Sequence, residues 1–324
     1  LLLNADLPYS TGYSSVFNNI GSIQNQGLEF TLNTINIRSK DFSWTSNFNI
    51  AFNRNKILSL AENQDNRLTP IRWEFAYQEV PLYIAQVGKP AALYYGYIFD
   101  GLYQIEDFNG GPGSYTLKPG IPNNGNAPGL IRPGDVKFRD INGDGVVNAY
   151  DQTTLGSPLP LHTGGFSNNF TYKGFDLNVF LQWSYGGSIY NANRIIFEGE
   201  RPRANLNQFA TVLDRWTPEN PNTNIPRAGG NAPVGTYSSR VIEDGSFLRL
   251  KTVQLAYSLP GKLTNKFFVR NLSLNISAQN IFTWTKYSGM DPEVAVRYSV
   301  LTPSFDYAPY PRALTLVFGL KATL

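Results

Sequence analysis

The stretch that decides the fold reads Gly165-Phe-Ser-Asn-Asn-Phe-Thr-Tyr172, Lys173-Gly174, then Phe175-Asp-Leu-Asn-Val-Phe-Leu-Gln-Trp-Ser-Tyr185. Phe175, Leu177, Val179, Leu181, Trp183 and Tyr185 fall on one side of an extended chain. Asp176, Asn178, Gln182 and Ser184 fall on the other, and Phe180 alone breaks the polar row. Such alternation marks a strand that is apolar on one face and wet on the other. A tilted strand needs about 9–11 residues to cross a bilayer, whereas an ordinary strand has about 5–6. The aromatic residues lie at the ends of the apolar row, where interfacial girdles lie. The stretch therefore predicts a hairpin built to cross a membrane.

Upstream, Gly134-Asp-Val-Lys-Phe-Arg runs into Asp140-Ile-Asn-Gly-Asp144-Gly145-Val-Val-Asn148-Ala-Tyr-Asp151, followed by Gly156-Ser-Pro-Leu-Pro. Residues 140–151 carry oxygen side chains at EF-hand positions 1, 3, 5, 9 and 12, with Gly145 at the sharp bend. Asp140, Asn142 and Asp144 would surround one point, Val146 would offer its backbone carbonyl, and Asn148 a side chain or bridging water. Position 12 is Asp151 rather than Glu, which shortens its reach. Structural Ca2+ is one reading of this loop; an Asx-rich turn without metal is the other.

These runs, with Phe166-Ser-Asn-Asn-Phe-Thr-Tyr-Lys-Gly-Phe-Asp-Leu177, Trp216-Thr-Pro-Glu-Asn-Pro, Asp244-Gly-Ser-Phe-Leu-Arg-Leu-Lys and Asn275-Ile-Ser-Ala-Gln-Asn-Ile-Phe-Thr-Trp-Thr-Lys-Tyr-Ser-Gly-Met-Asp-Pro-Glu293, resemble the SusC/RagA family of TonB-dependent outer-membrane transporters of Bacteroidota. The resemblance covers nearly the whole chain. It implies a multi-pass barrel in the outer membrane that imports large nutrients, glycan fragments or oligopeptides. A SusD-like lipoprotein would cap the barrel, and TonB would act through an N-terminal plug outside this chain. It implies a transporter rather than an enzyme.

Composition agrees with a wall between lipid and water. Of 324 residues, 42% are hydrophobic, 14% aromatic and only 16% charged, against a usual charged share of about 25%. No run of 18 apolar residues exists for a transmembrane helix. There is no cysteine, which excludes disulfides, thiolate zinc sites and cysteine catalysis. The net charge of +3 comes without a basic cluster interleaved with aromatics, so no nucleic-acid partner is implied. The chain opens on Leu1 without a signal peptide, and Met290 is its only methionine. It is therefore expected to be the distal, C-terminal portion of a longer barrel.

Strands are expected at Leu1–Leu7 (a strand end), Gly27–Arg38, Phe42–Asn53, Val80–Val87, Ala92–Tyr103, the hairpin 162–186, Ser246–Ser258, Phe268–Phe282 and Arg312–Ala322. Phe42–Asn53 alternates cleanly, with Phe42, Trp44, Phe48, Ile50 and Phe52 toward lipid and Ser43, Thr45, Asn47, Asn49 and Asn53 toward water. In the last strand Leu314, Leu316, Phe318 and Leu320 form the lipid face, although the chain ends on Leu324 rather than an aromatic. A short helix is expected at Leu206–Arg215. Short turns near 39–41, 88–91, 173–174 and 259–266 alternate with long loops at 8–26, 57–79, 104–161, 187–245 and 283–311, as periplasmic turns and outer loops do. The fold expected is an all-β antiparallel transmembrane barrel, with about ten strands here of the roughly 22 found in plugged transporters.

Chemistry-bearing clusters are sparse. His162 is the sole histidine and is read as a solvated loop residue, since zinc sites need more ligands. The carboxylate pairs Glu106/Asp107, Glu198/Glu200 and Glu243/Asp244 could flank a sugar, or be solvated loop residues. Arg194, Arg201, Arg203 and Arg227 could meet an acidic ligand, or be solvated as well. Aromatics crowd the expected outer parts: Trp73, Tyr77, Tyr115, Tyr287, Tyr298 and Tyr307 are the candidates for substrate or partner contact. Tyr94, Tyr95, Tyr97, Tyr103 and Tyr310 stand nearby. Flat rings stack on sugars or anchor a partner; they also fill girdles and loop cores. A passive porin or adhesin barrel, and a secreted calcium-binding, carbohydrate-binding β-sandwich, are the rival readings.

Overall fold

In the computed structural model the described residues are 2–6, 9–13, 15–19, 21–60, 64–71, 80–199, 206–230, 237–264, 269–294 and 300–323. Seven long strands form one antiparallel sheet: β1 (Gly21–Arg38), β2 (Phe42–Leu60), β3 (His162–Tyr172), β4 (Phe175–Tyr185), β5 (Phe247–Ser258), β6 (Asn271–Thr285) and β7 (Thr315–Thr323). Each pairs with the next, an up-and-down order. β3 and β4 join through Lys173 and Gly174, whose φ values of 44° and 89° give the turn that matches strand twist.

Register aligns the apolar residues across strands. Leu32, Phe48, Phe166, Leu181, Leu250 and Phe282 share one row. Phe42, Tyr172, Phe175, Tyr257, Leu274 and Leu320 share another, beside the short turns. This face is bare: Phe318 is 74% exposed and Leu320 67%. In water that would forfeit about 25 cal/mol for each Å² left uncovered, so the face belongs against lipid. The opposite face carries Asn33, Asn47, Ser167, Phe180, Thr252 and Gln279 in a single row. Asn47 donates to Asn33 at 2.5 Å and Asn178 to Ser167 at 3.2 Å. A polar row, Thr34, Ser46 and Asn168, crosses the lipid face, and Trp44 Nε1 (3.0 Å) and Ser46 Oγ (2.7 Å) both donate to the Asn168 Oδ1. That satisfies it, as hydrocarbon demands.

Among the described residues the wall has seven strands where the sequence suggests ten. Val80–Gln86 and Leu93–Tyr97 are strands, but they belong to a separate four-stranded sheet with Asn66–Ile71 and Gln152–Gly156. β2 pairs directly with β3, so all of 61–161 is one excursion at one end, and the turn near Gly88 lies inside it. The physical reason is burial. Leu82, Tyr83, Ile84 and Ala85 are buried one after another, the mark of a strand covered on both faces rather than of an alternating wall. The alternation of connections survives: 39–41, 173–174 and 259–270 are short, while 61–161, 186–246 and 286–314 are long. β1 and β2 also run further than expected, and Leu2–Asp6 pairs with Ser15–Asn19 inside the expected loop 8–26. The expected helix at 206–215 is a 3-10 turn at Ala210–Asp214. Leu324 lies outside the described residues.

The three excursions fold together. A three-stranded sheet joins Ile242–Asp244 and Ser188–Asn191 of the second to Phe305–Asp306 of the third. Its residues share a core with the four-stranded sheet of the first, through Leu82, Tyr83, Tyr94, Tyr190, Ile195 and Phe305. The Tyr94 hydroxyl donates to the carbonyls of Ser188 (3.0 Å) and Ser304 (2.8 Å), and Tyr83 to that of Pro303 at 2.7 Å. Buried tyrosine rings usually find a partner for the hydroxyl; Tyr83 and Tyr94 find theirs across excursions, while the buried Tyr190 hydroxyl makes no hydrogen bond among the described residues.

Candidate functional site

Where the loop layer meets the wall, a cavity of about 630 Å³ opens on the lumenal face. Its lining includes Asn49, Thr163, Phe180, Gln182, Phe247 and Glu293. β2, β3 and β4 place the first four by their inward alternation. Gly165 leaves room for the Phe180 ring, since a Cβ there would sit 2.9 Å from it. The lining offers carboxamides, a hydroxyl and a phenyl face, a set suited to non-covalent recognition of a neutral polar ligand. Alternation places Asn49 and Gln182 on the water-facing side, and Phe180 stands out by breaking the polar row of its strand.

An ion-pair network pins the third excursion to the wall beside this cavity. Arg249 of β5, 2% exposed, pairs with Asp291 (2.5 Å) and Glu293 (2.9 Å). Glu293 is also reached by Arg312 at 2.9 Å and by Lys251 at 3.7 Å. Burial opposes ionisation of Asp291, but the Glu293 N–H and the Arg249 guanidinium outweigh it, so its pKa is lowered. The motif runs 244–251 and 275–293 therefore meet here as charge partners, a link that their spacing in sequence could not show.

Other motif residues serve the same layer. Gly134, at φ +84°, sits against the Trp216 ring, where a Cβ would come within 2.5 Å. Trp216 Nε1 donates to Gln104 Oε1 at 3.1 Å. Next door, buried Asp135 accepts from Arg227 Nε at 2.6 Å. Burial raises the Asp135 pKa against the pull of that guanidinium.

The sequence-derived candidates fall out as follows. Tyr115 packs edge-on against Phe108 in a small core with Tyr103 and Ile131. Tyr287 is buried, packs with Ile189 and Val294, and donates its hydroxyl to Asp306. Tyr307 is half-buried against the main loop core. Tyr94 and Tyr103 are buried, Tyr95 and Tyr97 half-buried, and Tyr310 is fully exposed. Trp73, Tyr77 and Tyr298 lie outside the described residues, as do Arg201, Arg203 and Glu200.

The polar loop residues are less solvated than expected. Glu198, 4% exposed, takes Arg194 at 2.7 Å and Arg240 at 3.4 Å, while Glu243 accepts from Asn191, Arg194 and Ser288. Asp107 accepts from the Gln104 N–H in a capping turn. His162 is not a loop residue: it opens β3, stacks on Tyr185 at 5.1 Å and accepts from Trp183 Nε1 at 3.1 Å. These residues hold the fold together, because a folded loop layer must pair its charges to bury them.

In the loop 140–151, Asp140 accepts from the N–H groups of Gly143 and Gly145, both at 2.7 Å. Asp144 accepts from Val146 N–H and from Asn142 Nδ2, while Asn142 Oδ1 accepts from Asp144 N–H. Asn148 caps Tyr150 and donates to the Val146 carbonyl. Asp151 is fully buried and accepts from Ile141, Asn142 and Asn148. Burial works against its ionisation, those backbone donors prevail, and its pKa is lowered. Among the described residues, no three acidic or histidine side chains come together as metal ligands.

No family model matches the chain. It is similar to TonB-dependent receptor P3 of Formosa agariphila, 34% identical over 326 residues, which covers 99% of this chain and 31% of that protein. It is also similar to TonB-dependent receptor SusC of Bacteroides thetaiotaomicron, 26% identical over 99% of this chain and 28% of the relative. The structure matches that of the RagAB peptide transporter with a TM-score of 0.74 at 24% identity, over 99% of this chain and 32% of that one. The chain thus spans about a third of the length of the relatives it matches. Lipid-facing wall, polar lumen, loop layer and relatives agree: this chain is a β-barrel segment of an outer-membrane TonB-dependent receptor of the SusC/RagA family.

Proposed function

We propose that this segment is the C-terminal part of the barrel of an energised importer of large nutrients, glycan fragments or oligopeptides. TonB would drive it through a plug contributed by sequence outside this chain, and a SusD-like lipoprotein would sit on the loop layer. The observation that carries the reading is the loop layer itself: three excursions share one core directly above a polar lumen. A passive pore needs no such platform, whereas a capping partner needs a rigid one. The test is uptake of labelled oligosaccharides and oligopeptides by cells expressing the full-length receptor. Uptake is expected to cease without TonB or without the lipoprotein. Undiminished uptake in both deletions would leave a passive pore as the answer.

The loop 140–151 is proposed as a weak structural calcium site. Asp140, Asn142, Asp144, the Val146 carbonyl and Asn148 would hold the ion, and Asp151 would anchor the loop from inside. The backbone N–H bonds leave carboxylate lone pairs over for a cation, but Asp140 and Asp144 would have to draw closer together.

A further inference from the structure

On the lipid side of the wall, β1 and β2 continue above the apolar band. Phe42, Trp44, Phe48, Ile50 and Phe52 share one face, and the same parity carries Arg54 and Lys56 onto it. Opposite them on β1 stand Gln26 and Gln24, paired with Arg54 and Lys56. Leu28, paired with Phe52, is the last apolar residue of that face of β1 before this polar set.

The height of this polar set follows from strand geometry. Phe42 lies in the aromatic row beside the short turns; Phe52 lies 5.5 Å from His162 in the upper cluster with Tyr185 and Trp183. The ten residue steps between them span about 33 Å along the strand at about 3.3 Å each. At a tilt of about 40° that is about 25 Å across the membrane, the height of the apolar band in such barrels. Arg54 then stands about 5 Å, and Lys56 about 10 Å, above the upper girdle. That is the level of lipid headgroups, not of hydrocarbon or bulk water.

The site is shaped as well as charged. Gln24, Gln26, Arg54, Asn55, Lys56 and Gly88 line a cavity of about 210 Å³. Its far wall is the turn at Gly88, which bonds to the β2 edge through Gly88 N–H to the Ile57 carbonyl (2.8 Å) and Ile57 N–H to the Lys89 carbonyl (2.9 Å). Arg54 is oriented by donating Nη1 to the carbonyls of Asn53 (2.8 Å) and Leu161 (2.7 Å). Among the described residues neither Arg54 nor Lys56 meets a carboxylate, although both are exposed. Elsewhere the less exposed arginines meet carboxylates, as at Arg249 and Arg194.

We propose that Arg54 and Lys56, with the carboxamides of Gln24 and Gln26, bind the phosphate-bearing headgroup of an outer-leaflet glycolipid whose acyl chains lie along Phe52, Leu28 and Phe30. A guanidinium and an ammonium at one depth, with amides alongside, match a phosphorylated sugar headgroup. An apolar face directly below accepts its tails.

The experiment uses the full-length receptor in nanodiscs or mild detergent. Retention of phosphorylated lipid A is measured by native mass spectrometry for the unaltered protein, for Lys56→Gln, and for the pair Arg54→Gln with Lys56→Gln. Dephosphorylated lipid A and inorganic phosphate are run in parallel. A Lys173→Gln variant, altered at the opposite end of the wall, is the control. The pair is expected to lose phosphorylated lipid A by tenfold or more and Lys56→Gln by about threefold to fivefold, with Lys173→Gln unchanged and dephosphorylated lipid bound weakly by all. Among the described residues the exposed Lys56 side chain makes no hydrogen bond, so Lys56→Gln should leave the fold intact, which its thermal unfolding checks. Equal retention by all variants, equal retention of the dephosphorylated lipid, or full displacement by millimolar inorganic phosphate would overturn the proposal.

Discussion

The wall and the loop layer solve opposite problems with the same chain. In the wall, large apolar side chains stand bare on one face, as Phe318 and Leu320 do, and stability comes from paired backbone and lipid. In the loop layer, tyrosines such as Tyr83, Tyr94 and Tyr190 are buried as in a water-soluble core, and charges are paired inside it. The lesson is that one sequence can carry two solvent codes. A period of two with one apolar face belongs to the membrane, and an unbroken buried run belongs to the layer above it.

The sharpest way to break the contrast is at the joint between the two regions. Arg249→Ala removes the residue of β5 that, among the described residues, reaches both Asp291 and Glu293. It leaves the buried Asp291 carboxylate without its close guanidinium, a change that typically costs about 3–5 kcal/mol. The third excursion is expected to become protease-sensitive while the barrel keeps its heat-modifiable migration. Loss of both together would mean that wall and layer are one cooperative unit.

Within the wall, Phe48→Arg should cost about 2–4 kcal/mol, because it places a charge at mid-bilayer, while Asn49→Arg should cost under about 1 kcal/mol. Denaturant titration in detergent or lipid reads both. Equal damage would show the register to be wrong by one residue.

Acid should sharpen the contrast further. Asp291 and Asp151 have lowered pKa values, so their contribution is fully present above the unfolded carboxylate pKa, near about 3.9. It is lost as pH falls through the lower folded values. Hydrogen exchange is expected to rise in 140–151 and 286–294 below about pH 4, with the wall amides unchanged. A uniform rise would contradict the separation drawn here.

The smallest effect expected is that of calcium. At the millimolar affinity typical of extracellular modules, the ion should slow exchange in 140–151 by a few-fold. Asp144→Ala should abolish that response and leave barrel stability unaltered. No calcium-dependent change at all would leave a self-capped Asx turn.

What could be read beforehand follows from these two codes. The hairpin 162–185, the lipid face of Phe42–Phe52 and that of the last strand were legible because alternation is local. Val80–Gln86 and Leu93–Tyr97 resembled wall strands only in being apolar. The structure tells them apart by the consecutive burial of Leu82 to Ala85 and by lengths of 7 and 5 residues, whereas in the sequence their turn at Gly88 reads like a hairpin of the wall. The roles of Glu243 and Tyr287, and of Glu198 toward Arg240, were not legible. Each is fixed by a partner many residues away, such as Arg240 for Glu198 or Asp306 for Tyr287, and no local pattern records such a distance.

The edges of the sheet carry a consequence for biogenesis. Among the described residues, no strand pairs with the outer edge of β1 or of β7. An unpaired amide in hydrocarbon costs several kcal/mol, so a half-built wall has no resting place in the bilayer. Hairpins such as β3–β4 can form early because their partners adjoin in sequence, but closure must come last and all at once. Until then the two edges are templates, each able to capture any extended chain that drifts by. The route to the membrane therefore needs an escort that occupies an open edge, gives it up strand by strand, and lets go only when the ring is shut.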